Sequence, residues 1–276
     1  MPQELMTANP LILGHRGASA VAPENTVAAF KRALRDGADG IEFDVRLSRD
    51  HVPVVIHDAT LNRTGLLDRL VCELTVKELG EVDVGRWFAE RTQTGTQSFA
   101  GEKLPTLAQV FELFNANSAV LYIEMKCNAR EASALATAIV HGIEEFHMTN
   151  RVVVESFSFD AIAAVKNVNA RIRTAALFEP RISRPISTVR RRRMVDLALY
   201  VGADEIAFHH SLVNRRLTER AKREGLEIVV WTVDDPRWIA RARALGIKAL
   251  ITNDPATLAQ HRDNLAFKFP ASSTGP

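Results

Sequence analysis

Glu42 and Asp44 stand two residues apart in an apolar run, Gly40–Val45. On an extended strand residues i and i+2 share a face, so the two carboxylates would lie side by side. Such a pair repels unless a cation or a shared proton relieves it. Glu124, closing another apolar run, would add a third acid at comparable height, one strand over. Three carboxylates with no cysteine or histidine pair form a hard oxygen site, better suited to Mg²⁺ or Ca²⁺ than to zinc. The plainer alternative is an acidic patch salt-bridged to Arg46 and Lys126. His15 and His57 close two further segments near this patch. Imidazole changes charge near neutral pH, so a pair can serve as general base and general acid; two hydrogen-bonded structural histidines are the alternative. Arg16 offers a bidentate fork for a phosphate, and Gly14 and Gly17 allow a tight turn and close approach of backbone to ligand. A hard cation, a cationic fork and two histidines suggest displacement at phosphorus. In such a displacement the nonbridging oxygens are neutralised by the metal, one histidine deprotonates the nucleophile and the other protonates the leaving oxygen.

These residues need a scaffold that brings strand ends together. Eight short apolar runs recur along the chain: Leu11–Leu13, Gly40–Val45, Val120–Glu124, Val152–Glu155, Thr174–Leu177, Glu205–Phe208, Ile228–Trp231 and Ala249–Thr252. Amphipathic stretches separate most of them. Val27, Phe30 and Leu34 fit one helix face that Gly37 is placed to end; Leu107, Val110, Phe111 and Phe114 fit another. Strands alternating with helices imply βαβ units and a parallel sheet. Eight strands in 276 residues favour a closed (β/α)₈ barrel, a fold of roughly 250 residues. No Gly-rich G-x-G-x-x-G turn follows the first run, which weakens a dinucleotide-binding sheet. In a barrel the C-terminal strand ends build the active site, and the reactive groups cluster there.

One segment breaks the alternation. Residues 45–57 read as a hairpin prolonging the second strand. A turn centred on Asp50-His51 would set Asp44 opposite His57, and Pro53 would confine the returning arm to an edge. Residues from about 58 to 105 have weak periodicity and read as a small insertion after the second strand, over one barrel end. The tail after Ala266 reads as frayed, so residues 1–276 are expected to be one barrel domain.

Composition narrows the function classes. Thirty-five Lys+Arg against 33 Asp+Glu give a net charge of +2, poor grounds for a nucleic-acid binder. Hydrophobic residues at 46% and charged residues at 25% are ordinary globular values and argue against a disordered chain. Cys72 and Cys127 read as two ordinary thiols. Met1–Pro10 lacks a signal-peptide pattern, and no apolar run nears the ~18 residues of a bilayer span. A cytoplasmic protein with no stable membrane anchor is expected, and a homo-oligomer is left open.

At this point the sequence resembles the glycerophosphodiester phosphodiesterases, in their compact bacterial form. The matching pieces include His15-Arg16-Gly17, Pro23-Glu24-Asn25-Thr26, Gly40–Val45 and Pro53–Asp58. They continue with Leu61-Asn62-Arg63-Thr64, Pro105-Thr106-Leu107, Glu124-Met125-Lys126, Ser156-Phe157, Trp231-Thr232-Val233 and Thr252-Asn253-Asp254-Pro255. The resemblance implies a TIM barrel that hydrolyses glycerophosphodiesters to sn-glycerol 3-phosphate and an alcohol, with one divalent cation, Mg²⁺ or Ca²⁺ and alternatively Mn²⁺. It implies Glu42, Asp44 and Glu124 as metal ligands, His15 and His57 as the acid–base pair, and Arg16 on the phosphate. It adds Lys126 as support for the phosphate or the carboxylates, and Trp231 as an apolar wall of the glycerol pocket. The chain departs from the family at Asp234, where Asn is frequent, and at Gly65-Leu66, where a second threonine often follows Arg63-Thr64.

Two other readings compete. A lysophospholipase D would use the same site on an acyl-bearing substrate, but it needs an apolar docking surface and the sequence offers no clear patch. A silent barrel binding phosphorylated ligands would lack one of the five site acids and histidines, and all are present. Weaker signals read as structure. The Arg190–Arg193 run, with Arg181 and Arg184, reads as a solvated face, with an anionic surface as its functional alternative. His209-His210 read as polar groups at the barrel mouth rather than a second metal site, and His51 as the hairpin turn. His141, His147 and His261 read as surface, and Trp87, Phe88 and Phe99 as packing for the insertion. Ser156 lacks a histidine–acid context, so a serine hydrolase is a poor reading.

Overall fold

The computed structural model describes residues 9–92, 99–180 and 188–268. In chain order the elements are β1 (Leu11–His15), α1 (Val27–Arg35), β2 (Gly40–Leu47), β3 (Pro53–Val55), α2 (Val76–Leu79), α3 (Arg86–Thr92) and α4 (Leu107–Phe114). There follow β4 (Val120–Met125), α5 (Ala132–Glu145), β5 (Val152–Ser156), α6 (Phe159–Val168), β6 (Arg173–Phe178) and α7 (Thr188–Tyr200). The chain continues through β7 (Glu205–His209), α8 (Arg215–Arg223), β8 (Glu227–Trp231), α9 (Trp238–Leu245), β9 (Ala249–Thr252) and α10 (Pro255–Lys268).

Parallel pairing runs β1-β9-β8-β7-β6-β5-β4-β2, and a β1–β2 pairing closes the ring. This is a TIM barrel of eight parallel strands, and each of the eight apolar runs lies in one of them. Period-2 alternation sorts the strand residues. Ile41, Phe43 and Val45 of β2 point outward and pack with Phe30, Phe111 and Phe114 of α1 and α4. Leu13, Tyr122, Val153, Ala207, Val229 and Ile251 fill the barrel interior. Each fully buried side chain of this size contributes about 1.5–3 kcal/mol. At the N-terminal strand ends the interior is plugged by Glu205, which takes Tyr122 Oη at 2.7 Å, Lys248 Nζ at 2.6 Å and an Arg173 amino group at 2.9 Å.

The helices start where capping residues allow. Thr26 Oγ1 accepts from Ala29 N at α1, and Thr106 and Gln109 form a capping box at α4. Gly37, at φ 87°, takes the left-handed conformation just past α1, as its position implied. Gly40 marks a close approach: a Cβ there would lie 2.0 Å from Val120 O.

The hairpin exists with a register one residue away from the expected one. Val45 pairs with Val55, Arg46 with Val54 and Leu47 with Pro53, so Asp44 faces Ile56, whose N–H donates to Asp44 O at 3.0 Å. The cause is the turn. Residues 49–51 form a three-residue loop ending on His51 at φ 61°, not a two-residue loop centred on Asp50-His51. Ser48 Oγ accepts from Val52 N across it. Among the described strands β3 pairs only with β2, which is the edge position expected from Pro53.

The described part of the segment after β3 has a small core of its own, in which Ile56, Leu61, Val71, Leu79 and Leu104 cluster with Val54 of β3. Trp87, Phe88 and Phe99 pack with Ala22 and Ala29 and pin this segment to the barrel. Cys72 and Cys127 are free thiols. Among the described residues no helix is long and apolar enough to cross a membrane. Arg181, Arg184 and the tail from residue 269 lie outside the described residues, as do the side chains of Arg190–Arg192 and of 266–268; the backbone of α10 runs two residues past Ala266.

Candidate active site

Strand register builds the acidic group. In the β2–β4 pairing Glu42 aligns with Tyr122 and Asp44 with Glu124, all inward-facing. In the β1–β2 pairing His15 aligns with Glu42. One carboxylate oxygen each of Glu42, Asp44 and Glu124 lies within 4.8 Å of the others, and all three residues are buried. Lys126, two residues past Glu124 on the same face, sets Nζ 2.6 Å from Glu124 Oε1 and 3.2 Å from Asp44 Oδ1. The salt-bridge alternative is thus partly realised, by Lys126; Arg46 instead donates to the carbonyls of His57 and Lys126.

The β1–α1 turn places Arg16. Its N–H donates to Glu42 O at 2.8 Å and its carbonyl accepts from Asn25 N at 3.0 Å, which holds Arg16 at φ 54°. A non-glycine residue there costs about 1–3 kcal/mol, sustained by those bonds. Gly17 follows at φ 84°, and a Cβ would meet the Ala29 carbonyl at 2.6–2.7 Å. The guanidinium donates to Glu24 Oε1 at 2.8 Å, and Nε lies 3.1 Å from Asp44 Oδ2 without being aimed at it. Asn25 Nδ2 supplies Asp44 Oδ2 with a hydrogen bond at 2.8 Å. Asp44 Oδ1 is buried with no hydrogen bond. A buried oxygen whose close charged neighbour is the Lys126 ammonium, inside an oxygen-only group of three acids, fits a hard divalent cation.

The electrostatics agree. Burial, then Asp44 and Glu124, push the Glu42 carboxyl well above the usual range. Burial and Asp44 push Glu124 to about 7. Burial alone would raise Asp44 too, but Arg16 and Lys126 hold it below its ordinary value. Crowding thus raises Glu42 and Glu124, while the two cationic neighbours hold Asp44 down.

Each histidine is fixed through Nδ1. His15 Nδ1 meets Asn253 Oδ1 at 2.7 Å, and Asn253 Nδ2 donates to Asp234 Oδ2 at 2.8 Å, which orients the amide. His57 Nδ1 meets Asp58 Oδ1 at 2.6 Å, and Arg63 Nε donates to Asp58 Oδ2 at 2.6 Å. With both acceptors on Nδ1, the proton sits there and Nε2 is left free to exchange one. His15 Nε2 lies 3.9 Å from Glu42 Oε2. Burial, reinforced by Arg16, lowers His15 to about 4; burial also lowers His57. Arg63 also grips Glu24 at 2.7 and 2.8 Å, so Asp58, Arg63, Glu24 and Arg16 form an alternating chain from His57 to Asp44.

All eight residues expected at the site converge at the C-terminal barrel face. A cavity of about 450 Å³ is lined by His15, Arg16, Glu42, His57, Glu124 and Lys126 on one side and by Trp231 across from them. Trp231 meets Phe157 edge-on at 5.5 Å and His209 at 5.3 Å. His209 and His210 stack on each other at 4.2 Å, and neither joins a three-residue metal-ligating group among the described residues. His51, His141 and His147 are exposed, whereas His261 is half-buried against the expectation, because its helix packs on the barrel. Sequence reasoning named Glu24, Asn25, Arg63 and Asn253 only as motif members and gave them no task. Glu155 was named only as the end of the Val152–Glu155 run, although it lies one strand beyond Glu124, its register partner.

A TIM barrel with three buried carboxylates that could hold a metal and two oriented histidines at its C-terminal face has the groups that phosphoester chemistry needs. The chain belongs to the glycerophosphoryl diester phosphodiesterase family, whose family model matches residues 15–257. It is 34% identical over 248 residues to a glycerophosphodiester phosphodiesterase of Caldanaerobacter subterraneus, covering 90% of this chain and 96% of that one. A glycerophosphodiester phosphodiesterase of Bacillus altitudinis is 29% identical, over 92% and 98% of the two chains. Among solved structures, a phosphodiesterase of Oleispira antarctica, in complex with the product sn-glycerol-3-phosphate, superposes with a TM-score of 0.80. It is 23% identical and covers 92% of this chain and 97% of its own, a likeness of fold.

Proposed function

We propose that the chain hydrolyses glycerophosphodiesters to sn-glycerol 3-phosphate and an alcohol, as a single barrel domain with the insertion walling the His57 side. The observation that carries this reading is the oxygen triad of Glu42, Asp44 and Glu124 within 4.8 Å, flanked by two histidines held through Nδ1. Glu42, Asp44 and Glu124 would hold one divalent cation, Mg²⁺ or Ca²⁺ with Mn²⁺ as the alternative. When bound, it supplies charge neutralisation at the nonbridging phosphate oxygens.

The remaining work falls to the side chains. Arg16 offers its fork to the phosphate, and Lys126 neutralises both the carboxylates and the phosphate from the β4 side. One histidine takes the proton of the attacking oxygen at its free Nε2, and the other delivers a proton to the departing alcohol. Asn253 and Asp58 keep each ring from flipping its proton away from that task. Trp231 gives the glycerol carbons an apolar wall. A cytoplasmic setting fits the free thiols Cys72 and Cys127.

Product identity tests the reading. Phosphorus NMR of a reaction on glycerophosphocholine should find sn-glycerol 3-phosphate; phosphocholine as product would refute it. A lysophospholipase D reading gains one observation: Leu66, Leu67 and Leu70 of the insertion are 49%, 45% and 39% exposed, an apolar surface not evident from the sequence. Faster turnover of lysophosphatidylcholine than of glycerophosphocholine would favour it.

A further inference from the structure

The cavity has two chemically different halves. One carries the histidines, the cationic groups and two of the triad acids. The other, from β5, β6, β8 and β9, presents Glu155, Phe157, Leu177, Glu179, Trp231 and Ile251. Glu155 is the unexplained member of that half. Its side chain points into the barrel beside Val153, in register with Glu124, and the residue is 1% exposed. Among the described residues nothing hydrogen-bonds its carboxyl, and Oε2 is a buried orphan. Across the same half, the Trp231 indole N–H is a second buried polar atom without a partner.

A buried carboxyl with no partner is destabilising, so a fold keeps one where a ligand completes it. Glu155 does not belong to the cation group, whose close oxygens come from Glu42, Asp44 and Glu124. It does not belong to the ion-pair plug at the barrel base either, where Glu205 takes Tyr122, Lys248 and Arg173. What remains is the cavity. An orphan acceptor and an orphan donor set in apolar walls match a small polyol, whose hydroxyls both donate and accept while its C–H edges lie on aromatic and aliphatic carbon.

We propose that Glu155 is a substrate-binding residue that hydrogen-bonds a hydroxyl of the glycerol moiety and so selects glycerol diesters over diesters without a polyol. The proposal rests on the functional reading above and adds a residue to it. It makes the Glu155 half the glycerol side of the cavity and leaves the alcohol leaving group toward the open mouth.

The experiment compares two substrates across three enzymes. Glycerophosphocholine carries the polyol; bis(4-nitrophenyl) phosphate does not. Wild type, Glu155→Gln and Glu155→Leu are assayed on both with the divalent cation present. Glu155→Leu should lower kcat/KM on glycerophosphocholine at least about tenfold more than on bis(4-nitrophenyl) phosphate, chiefly through KM, as expected for one lost hydrogen bond to a charged or acid group. Glu155→Gln keeps a donor and an acceptor and should recover most of that selectivity. Equal losses on both substrates would overturn the proposal by making Glu155 a support of the cation group. Unchanged selectivity in a folded Glu155→Leu enzyme would overturn it as well. Should Glu155→Leu fail to fold, selectivity for glycerophosphocholine that is stronger in wild type than in Glu155→Ala decides the same question. A wild type that cleaves bis(4-nitrophenyl) phosphate but not glycerophosphocholine would overturn the functional reading itself, a result visible before any variant is made.

Discussion

His15 and Asn253, 238 residues apart in the chain, meet at 2.7 Å through Nδ1 and Oδ1. Asp234 accepts from the Asn253 backbone N–H and from its side-chain amide, both at 2.8 Å, so the amide oxygen has one orientation available and it faces His15. Asp234 departs from the residue often found in the family, yet here it anchors the support of His15. Asn253→Ala removes the acceptor that keeps the proton on Nδ1. It should lower kcat by about 10²-fold or more with little change in KM, as losing a tautomer-fixing partner does elsewhere. Steady-state kinetics on glycerophosphocholine check this, and a wild-type kcat would contradict it.

Glu24 ties Arg16 to Arg63 at 2.7–2.8 Å. Burial alone would raise its carboxyl, but Arg63 and Arg16 hold it below its ordinary value of 4.5. A depressed folded value means that the stabilisation is fully present above the unfolded value and is lost as pH falls through the folded one. Arg63→Ala should therefore lower the unfolding free energy measured in urea near neutral pH by about 1–2 kcal/mol, given the partial exposure of Arg63. The gap from wild type should narrow below about pH 4.5, through the depressed value. A gap independent of pH would contradict the account.

Much of this was legible in the sequence. Short apolar runs between amphipathic stretches predict all eight barrel strands, and the Glu42/Asp44 spacing predicts two acids on one face of a strand, which the closed barrel makes the inner one. Reactive residues at the ends of those runs mark the face of the barrel that carries the site. The hairpin register was not legible, because it depends on whether the turn has two residues or three, and His51 adopts a positive φ with no glycine to announce it. The partners of the histidines were not legible either. Asn253, itself held by Asp234, reaches His15 only once the ring closes β9 onto β1. Glu155 reads as the polar end of an apolar run until its strand is placed next to β4.

Glu42 and Glu124 bind protons more tightly folded than unfolded, the latter with a value near 7. For a carboxyl this reverses the usual sign: the metal-free fold loses stability as pH rises from the ordinary value of 4.5 through the raised one. A divalent cation bound by these acids should restore it. The rise in Tm on adding Mg²⁺ or Ca²⁺ should then be larger near pH 8 than near pH 5, where protons compete for the same oxygens. Differential scanning fluorimetry after chelation measures it. An increment equal at both pH values would count against carboxylate ligation.

Gly40 allows β2 to lie against β4, and a methyl group there would sit 2.0 Å from Val120 O. Gly40→Ala must push the strands apart where the register that aligns Asp44 with Glu124 begins. We expect a loss of about 3 kcal/mol or more in stability, with weakened cation binding in whatever folds. Chemical denaturation and a cation titration check both; a stable variant with unaltered cation affinity would contradict the packing argument.

In the proposed reaction the acid triad and the histidine pair act together on a glycerophosphodiester. Its most direct test is a coupled assay for sn-glycerol 3-phosphate released from glycerophosphocholine, after chelation and after adding back Mg²⁺, Ca²⁺ or Mn²⁺, with His15→Ala alongside. We expect no activity in the chelated enzyme, recovery with at least one of the three ions, and a loss of about 10²–10⁴-fold in His15→Ala under the same conditions. Full activity in the chelated enzyme, or a His15→Ala enzyme as fast as wild type, would contradict it.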